Sequence, residues 1–267
     1  MLLSMNFELV LHTFGENPWL IALTAVCGAI VAIFALIVLS DLLYKQFFKR
    51  FYDIALSGAA IIVLSPVLLL LIILGAIKMK GNPFFTQLRP GKNEKIFRLI
   101  KFRTMTCEKD ENGDLLPDEK RLTRYGQLLR STSLDELPEL FNIFIGQMSI
   151  VGPRPQLVRD MVFMSDEVRV RHSVSPGLTG LAQCSGRNAV SWEKKFEYDL
   201  KYIEKITLWG DVAIIFKTVF KVFARDGITE DGEATATDLG DYLLSKGEVS
   251  KEEYDSLQVE ANELMKV

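Results

Sequence analysis

The chain has 267 residues, 49% of them hydrophobic, which allows one or two domains; 31 basic against 34 acidic residues leave a net charge of −3, with no basic excess to favour a nucleic-acid partner. Three scattered cysteines, Cys27, Cys107 and Cys184, form no C-x-x-C pair and argue against a disulfide framework or a zinc ribbon. Only His12 and His172 are present, so a histidine-rich centre is disfavoured, and any metal is expected to be a hard cation held by carboxylates and phosphates.

In chain order, the first feature is the apolar run Trp19 to Leu39, inside an N-terminal extension of residues 1–46. It is long enough to cross a hydrocarbon core of roughly 30 Å, and a membrane helix over about 19–43 is expected. Glu8 and Glu16 precede it, whereas Lys45, Lys49 and Arg50 follow, which puts its C-terminal end in the cytoplasm. A cleaved signal peptide fits poorly, because no basic segment precedes the run and the run is too long.

The second apolar run, Asp53 to Ile77 within residues 47–80, carries basic residues on both flanks: Lys49 and Arg50 before it, Lys78 and Lys80 after it. Ser65 and Pro66 stand in its middle. Proline removes a backbone donor and clashes with the preceding turn, so a break is expected there, with Ser65 placed to bond a freed carbonyl. Two geometries fit: a kinked spanning helix, or a re-entrant helix-break-helix returning to the face it entered. The symmetric charge favours re-entry, with both flanks cytoplasmic.

Residues 81–228 read as a cytoplasmic catalytic domain. "GNPFFTQLRPGK" and "EKIFRLIKFRTM" predict two short strands bounded by turns, and Cys107 to Lys120 an acidic surface loop. Leu137, Leu140, Phe141, Phe144 and Ile145 recur at helical spacing. Lys217, Lys221 and Arg225, four apart, share one face of a helix that is expected to lie flat in an anionic interface, with Trp209 at headgroup depth. The tail over 229–267 is acidic, ends in a predicted helix over Lys251 to Met265, and is assigned no chemistry.

Asp135 and Glu136 are adjacent in "LRSTSLDELPELFNIFIG", an otherwise largely apolar segment. Ser133 to Glu136 has the form of a capping box, which would give Glu136 a purely structural task. Pro138 speaks against it, because a proline there would cost a ladder bond; the helix is then expected to begin at Pro138. Capping also leaves unexplained the surrounding cations: Lys101, Arg103, Arg130, Arg154 between Pro153 and Pro155, Arg171 and Arg187. Together these match a diphosphate, since arginine forks suit phosphate oxygens. An aspartate is ionised at neutral pH and needs no base to attack phosphorus once cations screen the target's charge. No Walker loop, G-x-G-x-x-G or D-x-D is present.

The ordered stretches "KRFYD", "SPVLLLL", "FFTQLRPG", "FRLIKFRTM", "STSLDELPELFN", "GQMSIVGPRP", "RHSVSPGLTG", "GRNAVSWEKKFEYD" and "FKVFARDGI" resemble the monotopic phosphoglycosyl transferases, the bacterial sugar transferase family, over roughly Lys49 to Ile228. Within it, "DENGDLLPDE" and "DGITEDGEATAT" are similar to the small enzymes that move phospho-diacetylbacillosamine to undecaprenyl phosphate. The resemblance implies a mainly α fold with a small β element (α+β), resting on interfacial amphipathic helices at the bacterial inner membrane. It implies transfer of a sugar 1-phosphate from a UDP-sugar to a polyprenyl phosphate through a covalent aspartyl phosphosugar, with UMP released. Carried over, Asp135 is the nucleophile and Glu136 its partner, both beside Mg²⁺. Lys101, Arg130 and Arg154 contact phosphates or nucleotide, Pro153 and Pro155 shape their loop, and Ser65 and Pro66 match the helix-breaking pair. Membrane lipids and other glycan-assembly enzymes are the expected further partners. Three departures stand out: the N-terminal run is extra relative to the shortest members, Leu181 replaces a frequent tryptophan, and "QCSGRN" over Gln183 to Asn188 differs from the usual "QVNGRN". A non-catalytic membrane scaffold and a nucleotide-sugar pyrophosphatase remain as rival readings.

Overall fold

A computed structural model describes residues 18–186, 190–224 and 237–266. Arg187, Arg225 and the first part of the acidic tail lie outside the described residues, as do Glu8 and Glu16. The chain divides into two compact units, Met1–Phe48 and Lys49–Val267.

The first unit contains helix α1, Pro18–Leu43, followed by a π-helical turn at Tyr44–Phe48. At about 1.5 Å per residue, its 26 residues reach further than a hydrocarbon core of roughly 30 Å. Large apolar side chains along it, such as Val31, Phe34 and Leu36, are exposed. Helix α1, over the span where a membrane helix is expected, is long and apolar enough to cross a membrane.

The second unit opens with α2, Lys49–Lys78. The helix does not end at Pro66; it stays helical on both sides of the proline. The ring deprives the Ile62 carbonyl of its usual donor four residues on, and Ser65 Oγ donates to that carbonyl at 2.8 Å instead. One side of α2 packs into the domain through Leu68 and Leu71, with Ala60, Ile61 and Leu64 against the neighbouring cluster. The opposite side presents Ile62, Val63, Leu69 and Leu70 outward.

The first turns of α2 hold the domain. Asp53, buried, accepts from Ile150 N–H at 2.8 Å and from Ser149 Oγ at 3.0 Å. Lys49 Nζ reaches the Val151 carbonyl at 2.9 Å and Asp211 Oδ2 at 2.6 Å. Arg50 donates to the carbonyls of Ile143 at 2.7 Å and Phe144 at 2.9 Å, at a helix C-terminus whose exposed carbonyls attract cations. The two basic residues preceding the apolar run are therefore internal ties of the unit.

The predicted strands form an antiparallel hairpin of β1, Phe84–Pro90, and β2, Ile96–Phe102, pairing Phe84 with Phe102 and Pro90 with Ile96. Helix α3, Arg124–Ser131, follows the acidic loop, and α4, Glu139–Ile145, starts after Pro138, as the proline required. Asn142 on α4 is fully buried: its Oδ1 accepts Ile100 N–H at 3.1 Å and its Nδ2 donates to the Arg98 carbonyl at 2.8 Å, locking α4 to β2. Phe97, Leu99, Leu140, Ile143 and Met148 make the core between them.

A second sheet, not foreseen from sequence, pairs β3, Ser149–Val151, with β4, Gly177–Thr179, in parallel. Helices α5, Trp192–Glu204, and α6, Leu208–Ala224, come next. Helix α6 exposes Trp209, Phe216 and Phe220, the apolar face expected of an interfacial helix, whereas Lys221 is half-buried and faces a cleft rather than continuing an outer basic stripe. The tail continues as α7, Leu239–Lys246, and α8, Lys251–Leu264, which belong to the second unit.

Replacing Asp53 with alanine orphans the Ile150 amide and leaves the Ser149 hydroxyl with only the Val151 carbonyl, at 3.0 Å. Asp53→Ala should cost about 2–3 kcal/mol of stability, read as an earlier thermal unfolding of the detergent-solubilised protein by circular dichroism. An unchanged transition would show that Asp53 anchors nothing.

Candidate active site

The segment between α3 and α4 bends sharply. Ser133 takes a left-handed conformation (φ 55°) and makes no side-chain cap, so the capping box is absent. Leu134–Glu136 form one 3₁₀ turn, and the Glu136 carboxylate points across the fold instead of back along the chain. There Oε1 receives Lys101 Nζ from β2 at 2.8 Å and Arg154 Nη2 at 3.0 Å. Lys101 is shared with a third carboxylate, Glu139 in the first turn of α4, at 3.1 Å. Sequence reasoning missed Glu139; its spacing three residues after Glu136 placed it on the same helical side, but it read as an ordinary first-turn acid.

These ion pairs set the protonation of the group. Burial works against charge on Glu136, yet Lys101 and Arg154 hold its carboxyl well below the usual range. Burial and the adjacent Glu136 charge push Asp135 up to about 6. Burial pushes Glu139 up to about 7, with Lys101 countering only in part. Burial pulls Lys101 down, but Glu136 and Glu139 outweigh it and leave its pKa raised. The Asp135 carboxylate accepts no hydrogen bond among the described residues, although Lys101, Arg130 and Arg154 all act on it electrostatically. An ionised, partly desolvated carboxylate without hydrogen-bond donors is the form in which a carboxylate is most nucleophilic.

Arg154 is positioned by its backbone. In "GPRP", the Pro153 carbonyl accepts Gly177 N–H at 2.9 Å, the Arg154 carbonyl accepts Arg171 Nη2 at 2.7 Å, and the Pro155 carbonyl accepts Arg89 Nη1 at 3.1 Å. Gly152 is required just before: a Cβ there would sit 2.5 Å from the Ser175 carbonyl oxygen. Three consecutive carbonyls are thus fixed, and from this loop the Arg154 side chain reaches Glu136.

Arg171, expected among the phosphate contacts, does not reach the open site. It is fully buried, with Nε and Nη2 on Asp199 Oδ2 at 3.0 and 2.6 Å, and it acts by holding the Arg154 loop. Such a charge can be buried only because it is paired. Arg130 closes the last turn of α3, its Nε on Thr104 Oγ1 at 3.1 Å. Arg103 lies one residue past β2, its backbone amide on the Pro83 carbonyl at 2.7 Å, outside the Lys101–Glu136–Arg154 group. Arg89 was missed by sequence reasoning: half-buried on β1 and facing the same cleft, it is lowered to about 10 by desolvation and by Arg154, and is still cationic at neutral pH.

Arg130, Ser133, Glu136 and Arg154 line one part of a cleft of about 710 Å³, a size typical of sites for small organic ligands. Asp135 stands between two lining residues, Leu134 and Glu136, without itself forming the wall. No cluster of three or more metal-ligating side chains occurs among the described residues. Asp135 and Glu136 are of the donor type that a hard cation such as Mg²⁺ takes together with substrate phosphates and water.

The sequence profile of the bacterial sugar transferase family matches residues 44–225. An uncharacterized sugar transferase of Bacillus subtilis is 45% identical over 190 residues, 70% of this chain and 93% of its own length. A UDP-glucose:undecaprenyl-phosphate glucose-1-phosphate transferase of Klebsiella pneumoniae is 43% identical over 66% of this chain. An undecaprenyl-phosphate galactose phosphotransferase of Salmonella typhimurium is 36% identical over 68% of this chain. The matched regions amount to 40% and 42% of those two longer proteins. With the profile spanning most of the chain and the Bacillus relative matched almost end to end, this protein belongs to the bacterial sugar transferase family.

Proposed function

We propose that this protein transfers a sugar 1-phosphate from a UDP-sugar to undecaprenyl phosphate at the cytoplasmic face of a bacterial inner membrane. The observation that carries the reading is Asp135: a carboxylate kept free of hydrogen bonds, beside a second acid tied to two cations, at the edge of a cleft large enough for a nucleotide sugar. The family relatives named for glucose and galactose transfer support the reaction class.

In this reading the donor's diphosphate enters between Arg130 and Arg154. An Asp135 oxygen attacks the phosphorus that carries the sugar; the bond from that phosphorus to the bridging oxygen breaks, and UMP departs with the electron pair. Glu136 keeps Arg154 and Lys101 near the reacting phosphoryl, where they offset charge that grows in the transition state. An oxygen of the polyprenyl phosphate then attacks the same phosphorus and returns Asp135 as a free carboxylate. Mg²⁺, held by Asp135 or Glu136 together with the phosphates, would add charge neutralisation.

The membrane geometry serves the second step. Helix α2 is re-entrant, with Ser65 covering the Ile62 carbonyl that Pro66 leaves unbonded in lipid. Its N-terminal turn is tied to the domain by Lys49, Arg50 and Asp53, so the site is held at headgroup depth, where the acceptor's phosphate lies.

Incubation with a panel of UDP-sugars and Mg²⁺, without acceptor, should release one equivalent of UMP per protein and add the mass of a phosphosugar on Asp135. Asp135→Asn should lower that release by at least roughly 10³-fold; undiminished UMP from this variant sinks the covalent route. UMP turnover without lipid would support a pyrophosphatase instead.

Because the Asp135 pKa is raised to about 6, its reactive anion disappears as pH falls through that value. The donor's diphosphate has no ionisation in that range, so kcat/KM for the UMP-releasing step should drop about tenfold per pH unit below it. A profile flat down to pH 5 contradicts the assignment. For topology, a single cysteine at the exposed position 78, in a background lacking Cys27, Cys107 and Cys184, should resist an impermeant thiol reagent added outside spheroplasts and react once the membrane is permeabilised. Labelling at 78 refutes re-entry.

A further inference from the structure

The family match stops at residue 225, but the cleft does not: Thr237 and Asp238, from the acidic tail, also line it. The segment is firmly seated. Leu239 N–H donates to Asp160 Oδ1 at 2.9 Å, and Asp160 is itself buried, with Oδ2 on Leu157 N–H at 3.1 Å. Trp192 Nε1 donates to the Thr237 carbonyl at 3.3 Å, and Arg159 pairs with Asp238 Oδ2. Leu239 packs with Met164, Trp192 and Phe196 in a buried cluster. Further along, Tyr242 and Lys246 both reach Glu193 Oε1, at 2.8 and 2.9 Å, and the Tyr254 ring lies 5.5 Å from that of Phe163. Gly240 leaves the room this needs, since a Cβ there would fall 2.6 Å from the Phe163 ring.

The polar groups in this part of the cleft have capacity left over. Asp238 Oδ1 accepts no hydrogen bond among the described residues, its ion pair with Arg159 being made through Oδ2. Asp199 Oδ1 is buried without a partner, because Arg171 uses only Oδ2. Both amide atoms of Gln183 are likewise buried and unpaired. Buried polar atoms without partners are costly and uncommon, and several lining one cleft mark where a ligand's own polar groups belong. Carboxylates repel phosphate oxygens, so whatever meets Asp238 is a neutral group carrying O–H or N–H. Hydroxyls and amide N–H groups occur in both halves of a nucleotide sugar, the nucleoside and the sugar.

We propose that the docked tail is a specificity-determining wall of the donor cleft, in which the Asp238 carboxylate accepts hydrogen bonds from hydroxyl or amide groups of the nucleotide sugar while the diphosphate lies toward Arg130 and Arg154. The proposal rests on the donor reading above. It makes Asp238 a binding residue in a segment beyond the matched family region, and it makes Asp160 and Trp192 positioning residues that seat it.

The test uses the full chain in lipid nanodiscs. UMP is titrated calorimetrically, and UMP release is compared for UDP-glucose, UDP-galactose and UDP-N-acetylglucosamine. Asp238→Ala should weaken UMP binding roughly tenfold if the wall meets the nucleoside; if it meets the sugar, UMP binding holds and the ranking of the three donors changes. Asp238→Asn, which keeps an acceptor, should recover part of either loss. Lys246→Ala controls for seating, because its exposed ion pair with Glu193 holds the same tail without touching Asp238 and neither residue is among the lining residues. It should leave UMP affinity within about twofold of the parent. Unchanged UMP affinity and donor ranking in Asp238→Ala overturn the proposal, as does an equal loss in Lys246→Ala. A parent protein that binds no uridine nucleotide would instead overturn the donor reading.

Discussion

Glu136 is where the charge of this protein is balanced. Three carboxylates, Asp135, Glu136 and Glu139, gather where water is scarce, and the two cations that bond them directly are Lys101 and Arg154. Glu136 takes both, Glu139 shares Lys101, and Asp135 takes neither. An exposed ion pair contributes little, about 0–1 kcal/mol, but one partly removed from water is costly to break because the partner left behind stays charged and desolvated. The arrangement therefore persists, and it leaves Asp135 as the acid of the three without a hydrogen-bond donor among the described residues.

That balance requires Lys101 and Arg154 to arrive from different directions. Lys101 is carried by a hairpin locked to α4 through Asn142. Arg154 is carried by a loop whose three carbonyls are held by Gly177, Arg171 and Arg89. The buried pair of Arg171 with Asp199 contributes geometry here more than stability; its charge is neutralised in place so that a guanidinium can grip a loop from inside.

The same domain is bound to the apolar helix α2 by polar contacts, not by apolar packing alone. Lys49, Arg50 and Asp53 all lie in the first turns of α2 and take backbone groups of α4 and β3, along with Asp211 of α6. Each of these partners sits next to a site element: β3 leads into the Arg154 loop, and α4 carries Glu139. The seating of α2 and the shape of the site are thus coupled through a few hydrogen bonds. The docked tail completes the cleft from the other side, with an acidic segment where the rest of the opening is rich in arginine and lysine.

Local chemistry made much of this legible in the sequence. The lengths of the apolar runs, the strands of the hairpin, the start of α4 after Pro138 and the rescue of a carbonyl by Ser65 all follow from interactions within a few residues, which the order of side chains specifies by itself. Adjacent acids at Asp135 and Glu136, with Lys101, Arg130 and Arg154 as candidate partners, were visible as chemistry without geometry. Only the tertiary structure decided that Glu136 spends its charge on Lys101 and Arg154, that Glu139 joins them, that Arg171 turns inward, that β3 and β4 pair, and that Asp238 reaches the cleft. The physical reason is distance along the chain: a carboxylate's behaviour depends on burial and on cations 18 and 35 residues away, and neither has any meaning until the fold brings them together.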